Sequence, residues 1–293
     1  MTRRGLSIAI YGLSTAIGLL TFVYPFLAPA ITQAAGGQAH ANDAPLVLSV
    51  LVGVCFVVLL LEVQTQAVNT KLIALLGILV SMNAMLRFLE IAVPGPGGIS
   101  PIFFLIVMTG YVYGARLGFL MGALTLLVSG LITGSLGPWL PYQMFTASWI
   151  GMSAALCRPL VRMLGGEGRR REIVVLAFFG AVWGLVFGMV MNIWFWPFAT
   201  GPADQYWEAG IGVLETVKRY AAFYLTTSFV WDVFRAAGNV LLTVAFAAPT
   251  LRALRRFRRR FDYDYRPAAV TETVQAPQES RRPLPARQNV ALR

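Results

Sequence analysis

The chain has 293 residues, of which 57% are hydrophobic and 13% charged, and its mean hydropathy is +0.66. Soluble domains carry about 25% charged residues, so this balance excludes an ordinary soluble fold and points to a polytopic membrane protein. The formal net charge of +11 gathers at the ends of apolar stretches and in the C-terminal tail, which reads as orientation signal and lipid contact and not as a nucleic-acid surface.

In lipid each stretch must satisfy its own backbone hydrogen bonds, so each is expected to be a helix, and a crossing takes roughly 20 apolar residues. The first stretch, Leu6–Pro29, follows Thr2-Arg3-Arg4 and reads as a retained helix rather than a cleaved leader. A polar loop, Thr32–Asp43, leads to the second, Ala44–Leu61. The third, Lys71–Val93, is ended by Pro94-Gly95-Pro96-Gly97-Gly98. The fourth, Pro101–Gly114, is short for a crossing; the fifth is Leu117–Thr133, the sixth Leu140–Leu164 and the seventh Ile173–Phe198. A polar segment, Ala199–Arg219, precedes the eighth, Ala222–Leu251. The basic run from Arg252 to Arg260 then enters the headgroup layer, and the Pro-, Gln- and Arg-rich chain from Pro267 is expected to be disordered.

Charge sets the orientation. With a cytoplasmic N-terminus the inner side collects Arg3, Arg4, Lys71, Arg116, Arg158, Arg162, Arg169, Arg170, Arg171 and the run Arg252–Arg260, while the outer loops keep Lys218 and Arg219. This bias puts both termini in the cytoplasm and the protein in the plasma membrane.

The inventory of reactive side chains is small. Cys55 and Cys157 read as buried thiols, and no spacing supports a disulfide. His40 is the lone histidine, so a His-Glu-x-x-His metal helix is absent, no metal or cofactor is expected, and most hydrolase readings fail. Gly114, Gly118 and Gly122, and again Gly180, Gly184 and Gly188, recur at four-residue spacing. Such rows let two helix backbones approach closely, either within the bundle or against a partner. Ala74, Gly77 and Ser81 on the third helix are a further small-residue face for partner docking.

Polar groups within spans are costly and usually face a cavity or a partner. Arg87 and Glu90 share a helix face, as do Asp232 and Arg235, with Asn239 one turn further. Asn192, Tyr142 and Gln143, with Trp139 and Trp196, fall at the same, outer, side. Internal ion pairs, interhelical amide bonds and an aromatic belt would account for them singly. Together they describe an outward-facing pocket with flat apolar walls and a few polar anchors.

Four segments carry a family resemblance. Gly110-Tyr111-Val112-Tyr113-Gly114-Ala115-Arg116-Leu117-Gly118, Gly137-Pro138-Trp139-Leu140-Pro141-Tyr142-Gln143-Met144, Gly184–Trp194 with Met191-Asn192, and Ala236-Ala237-Gly238-Asn239 resemble the S-components of energy-coupling factor (ECF) vitamin transporters, most of all the cobalamin-type branch. The resemblance covers about Lys71–Arg260. It implies an all-α membrane bundle: a substrate-binding six-helix core over 67–261, an additional N-terminal helix pair over 1–66, and a tail over 262–293. It also implies capture of a vitamin-like small molecule at the outer face and docking onto a membrane coupling subunit driven by two cytoplasmic ATPases. This chain lacks a Walker A pattern and is expected not to be an enzyme itself. On this reading the substrate is held by Trp139, Tyr142, Gln143, Asn192, Trp196, Asp232, Arg235 and Asn239, with Arg87 and Glu90 at the rim. The rivals are a proton-coupled secondary transporter using Asp232 or Glu90, and a membrane enzyme acting on lipid-linked substrates with those two as acid and base.

Overall fold

The computed structural model describes residues 3–27, 44–64, 70–92, 99–166, 168 and 170–261. The expectations for the loop around His40 and for the tail from 262 lie outside these residues. Among the described residues the structure is helical, without strands. The helices are α1 (Arg3–Leu27), α2 (Ala44–Gln64), α3 (Thr70–Ala92), α4 (Ile102–Tyr113), α5 (Ala115–Thr133), α6 (Leu140–Ala154), α7 (Cys157–Met163), α8 (Arg170–Phe195), α9 (Val213–Thr227) and α10 (Phe229–Phe261). Among the described residues four helical segments are long and apolar enough to cross a membrane: Lys71–Phe88, Ala115–Thr133, Arg170–Phe198 and Phe229–Arg259. Shorter apolar helices span Tyr11–Leu27, Pro45–Val54 and Ile102–Tyr113.

Two expected stretches divide differently. The sixth breaks at Ala155-Leu156 into α6 and α7. The expected polar segment 199–219 contains the start of a separate helix, α9, and the last long helix runs Phe229–Phe261 instead of Ala222–Leu251. The α9–α10 break has a local cause. The hydroxyls of Thr226 and Thr227 donate back to Ala222 O (2.9 Å) and Phe223 O (2.7 Å), and Ser228 leaves helical geometry at φ −132°. Such local bonds compete with the continuing backbone ladder. On α9, Val213, Leu214 and Val217 are exposed while Phe223 and Tyr224 are buried, and Glu215 and Arg219 pair at 3.2 Å.

The centre of the bundle is α4. Every residue from Ile102 to Val112 is buried, as expected for a helix apolar all round. It is packed by α3, α5, α6, α8 and α10. Lipid tails are as apolar as these side chains, so hydrophobicity does not drive the helices together, and close backbone packing must. The glycine rows supply it inside the bundle. A Cβ on Gly118 would lie 2.5 Å from the Gly151 carbonyl carbon and 2.7 Å from Gly110 Cα, so α4, α5 and α6 meet backbone to backbone. A Cβ on Gly184 would lie 2.6 Å from Ala236 Cα, which seats α8 on α10. Gly114 turns α4 directly into α5 at φ 102°, a left-handed value that disfavours side chains. The outward faces keep large apolar groups exposed, such as Phe178, Val174 and Leu131, which suits contact with acyl chains.

The N-terminal pair packs on the core. Phe22 of α1 meets Tyr142 and Trp149 of α6, with ring centroids 5.0 and 5.9 Å apart, and Tyr11 meets Phe119 of α5 at 5.3 Å.

At the arginine-rich end a polar network closes α4. The last carbonyls of a helix have no partner within it. Arg158 donates to Tyr111 O and Val112 O, and Arg258 donates to Val112 O at 2.9 Å. These guanidinium groups also suit the negative end of the helix dipole. Buried Glu172 on α8 accepts from Tyr111 Oη (2.7 Å), Gly168 N (2.7 Å) and Arg255 of α10. Tyr113 Oη donates to Leu254 O at 2.8 Å.

Candidate functional site

At the opposite end of α4 lies a cavity of about 300 Å³. Its floor is the first turn of α4, Ile102 and Phe103, preceded by Ser100. Its walls come from α3 (Arg87, Glu90), α5 (Leu126), α6 (Gln143), α8 (Phe187) and α10 (Arg235). Phe103 and Phe187 meet edge to face at 4.8 Å, making one flat apolar wall. The polar groups are placed by separate elements. Ser100 Oγ donates to Glu90 Oε2 at 2.6 Å, which fixes the carboxylate at the end of α3. Arg235 forms an ion pair with Asp232 one helical turn back and lies over the Phe187 ring at 5.4 Å from its centroid. Asp232 itself is buried, and its carboxylate fills the space a side chain on Gly188 would take. Tyr224 of α9 lies beside it: burial, and then the Asp232 carboxylate, push the Tyr224 phenol up to about 12. Gln143 Oε1 is buried without a hydrogen-bond partner. In a lined cavity such an acceptor is costly unless a ligand or water answers it.

Of the residues read from sequence, the structure brings Arg87, Glu90, Gln143 and Arg235 to this cavity, with Asp232 behind Arg235. The others do not line it. Tyr142 is fully buried against Phe22 and, at 6.1 Å, Trp194. It precedes Gln143 by one residue, a rotation of about 100° on a helix of 3.6 residues per turn, so the two side chains diverge. Asn192 Oδ1 accepts from Ser228 Oγ at 3.0 Å, tying α8 to the α9–α10 break. Trp196 donates its Nε1–H to Gln205 O at 2.9 Å and packs on Tyr220. Asn239 Nδ2 donates to Gly180 O at 2.8 Å, an interhelical bond between α10 and α8. Trp139 is partly exposed just before α6, with its ring over Gly137. Ala74, Gly77 and Ser81 are all exposed on α3, and a Cβ on Gly77 would meet nothing within 4 Å.

The sequence reading missed Ser100, Phe103, Leu126 and Phe187. Ser100 had a signal: a hydroxyl directly before Pro101 at a helix start, ten residues after an intramembrane glutamate. It also missed Asn83, whose Nδ2 reaches Ile102 O (3.0 Å) and Thr125 Oγ1 (3.2 Å) and so holds the first turn of α4 between α3 and α5.

A family model described as the substrate-specific component of ECF transporters matches residues 71–247, more than half of the 293 residues. No curated protein and no solved structure matches the chain.

Proposed function

The chain belongs to the family of ECF transporter substrate-specific components, and we propose that it captures a vitamin-like micronutrient in the cavity above α4 and delivers it through an ATPase-driven module. Membership makes it a multi-pass membrane subunit that takes a small-molecule substrate and works with partner subunits of an ECF transporter. The reading of the cavity as the substrate site is carried by one observation: an unpaired buried Gln143 Oε1 in a hollow also lined by Arg87, Glu90 and Arg235.

The chemistry favours a compact polar ligand. Gln143 offers an acceptor to a ligand N–H or O–H, Arg87 offers donors, and Phe103 and Phe187 offer a face for a ring. A volume of about 300 Å³ lies at the lower end of the range for small-molecule sites. It favours a vitamin with one or two rings over a corrinoid several times larger, so the cobalamin branch is the less supported choice of substrate. The arginine bias supports an outward-facing cavity and cytoplasmic termini. The exposed face of Ala74, Gly77 and Ser81 would receive the coupling subunit, which two cytoplasmic ATPases drive.

The test is binding of a panel of water-soluble vitamins to purified protein in nanodiscs, with mass spectrometry of co-purifying small molecules. Q143L should lose at least roughly tenfold in affinity for the ligand found, the scale of about 1.4 kcal/mol for one buried polar contact. Its thermal stability without ligand should not fall, because Gln143 Oε1 has no partner to lose and its burial is itself costly. Unaltered binding by both Q143L and R87Q would move the substrate site elsewhere.

A further inference from the structure

The arginine-rich end carries two neighbouring cavities that the transport reading does not use. One, of about 330 Å³, lies between α8 and α10, with Ile173, Ala248 and Leu251 beside Glu172, Arg252 and Arg255. The other, of about 430 Å³, is lined by Arg252, Arg255, Arg256 and Arg259. They share Arg252 and Arg255. The four arginines fall at i, i+3, i+4 and i+7, one face of α10.

This face lies where headgroups lie. With 33 residues, α10 is roughly 50 Å long, about 20 Å more than a hydrocarbon core of ~30 Å. Its last turns therefore extend past the acyl chains. Like charges at these spacings repel. Among the described lining residues Glu172 is the sole carboxylate, and it is engaged by Arg255, Tyr111 and Gly168. Among the described lining residues the quartet thus has more positive charge than Glu172 answers, next to a recess with apolar walls.

We propose that this paired recess is a binding site for an anionic phospholipid, with the phosphate of the headgroup held by Arg252, Arg256 and Arg259 and the glycerol and upper acyl carbons against Ile173 and Leu251. The apolar recess is what favours a lipid over a free phosphate compound. Arg255 takes part from its position beside Glu172, so an occupied site also braces the contact between α8 and α10.

The experiment is native mass spectrometry of delipidated protein in detergent, titrated with phosphatidylglycerol, phosphatidylcholine or soluble glycerol 3-phosphate. The variant is R256Q/R259Q, which changes two exposed side chains; the control is R162Q, at the same end but lining neither cavity. Wild type and R162Q should retain phosphatidylglycerol well above phosphatidylcholine. The double variant should lose about 30-fold in affinity, the factor given by about 1 kcal/mol for each arginine. Glycerol 3-phosphate should fail to displace the lipid. Equal phosphatidylglycerol affinity in wild type and R256Q/R259Q, or equal retention of phosphatidylcholine, overturns the proposal. Displacement by glycerol 3-phosphate overturns it in favour of a soluble phosphate compound. A double variant that keeps its lipid but no longer co-purifies with a coupling subunit overturns it in favour of a protein partner.

Discussion

Replacing Gly118 with alanine adds one methyl group at the tightest seam of the bundle. Its Cβ would stand 2.5 Å from the Gly151 carbonyl carbon and 2.7 Å from Gly110 Cα, where ordinary contact begins at 3.4 Å. Both neighbours are backbone, so no side chain can swing aside. Gly151 O lies nearer still, so the helices must separate by at least about 1 Å. Overpacking of this kind costs about 1–3 kcal/mol. A gap of 0.5–1 Å along the rest of the seam forfeits roughly a quarter to a half of each dispersion contact it opens. A total near 3 kcal/mol is expected, which corresponds to a fall in Tm of roughly 6–12 °C for a bundle of this size. Gly77→Ala is the matched control: it meets nothing within 4 Å, and in a helix alanine is worth about 1 kcal/mol over glycine. Melting followed by tryptophan fluorescence, in one detergent and at one lipid content, compares the two. If G118A melts with or above G77A, the backbone-to-backbone seam between α5 and α6 is not what holds the bundle.

Glu172→Gln keeps an acceptor for Tyr111 but leaves Arg255 opposite a neutral amide; loss of one partner of a fully buried ion pair costs about 3–5 kcal/mol, and because Arg255 is 20% exposed the same melt should fall by less than that. Glu172→Gln should leave vitamin binding intact in the protein that remains folded, because the network and the cavity lie at opposite ends of α4. Asp232→Asn should weaken ligand binding as well as stability, since Arg235 loses the partner that holds it over Phe187; calorimetry on the variant, in excess of folded protein, separates the two effects. Unchanged affinity in Asp232→Asn would remove Arg235 from the site.

The sequence made the helices legible because lipid leaves the backbone few alternatives, and it made the end of the bundle that holds the cavity legible through Arg87, Glu90, Gln143 and Arg235. It did not resolve which face of each helix turns inward. Tyr142 and Gln143 are equally plausible until Phe22 of α1 is seen to cover the tyrosine. Asn192 and Asn239 read as ligand groups; each also has a helix-to-helix partner that no local pattern announces, Ser228 and Gly180 O, while Asn192 Nδ2 and Asn239 Oδ1 stay unpaired. The break at Ser228 escaped because hydropathy runs on through it, while its cause is a pair of threonine hydroxyls folding back on the preceding turn. The same limit hid α9, whose Glu215, Lys218 and Arg219 read as loop although they share one helix with Val213, Leu214 and Val217.

The twelve residues of α4 rise roughly 18 Å, against a slab of ~30 Å. For the remaining two-fifths of the thickness none of the described residues continues the line of α4 as helix. The hollow is therefore made by truncation, and the side chains around it decide only what it prefers to hold. Larger groups at Leu126 or Phe103 would narrow the chamber, but an extra turn added before Ile102 would plug it. Capacity, on this architecture, is set by where one helix begins.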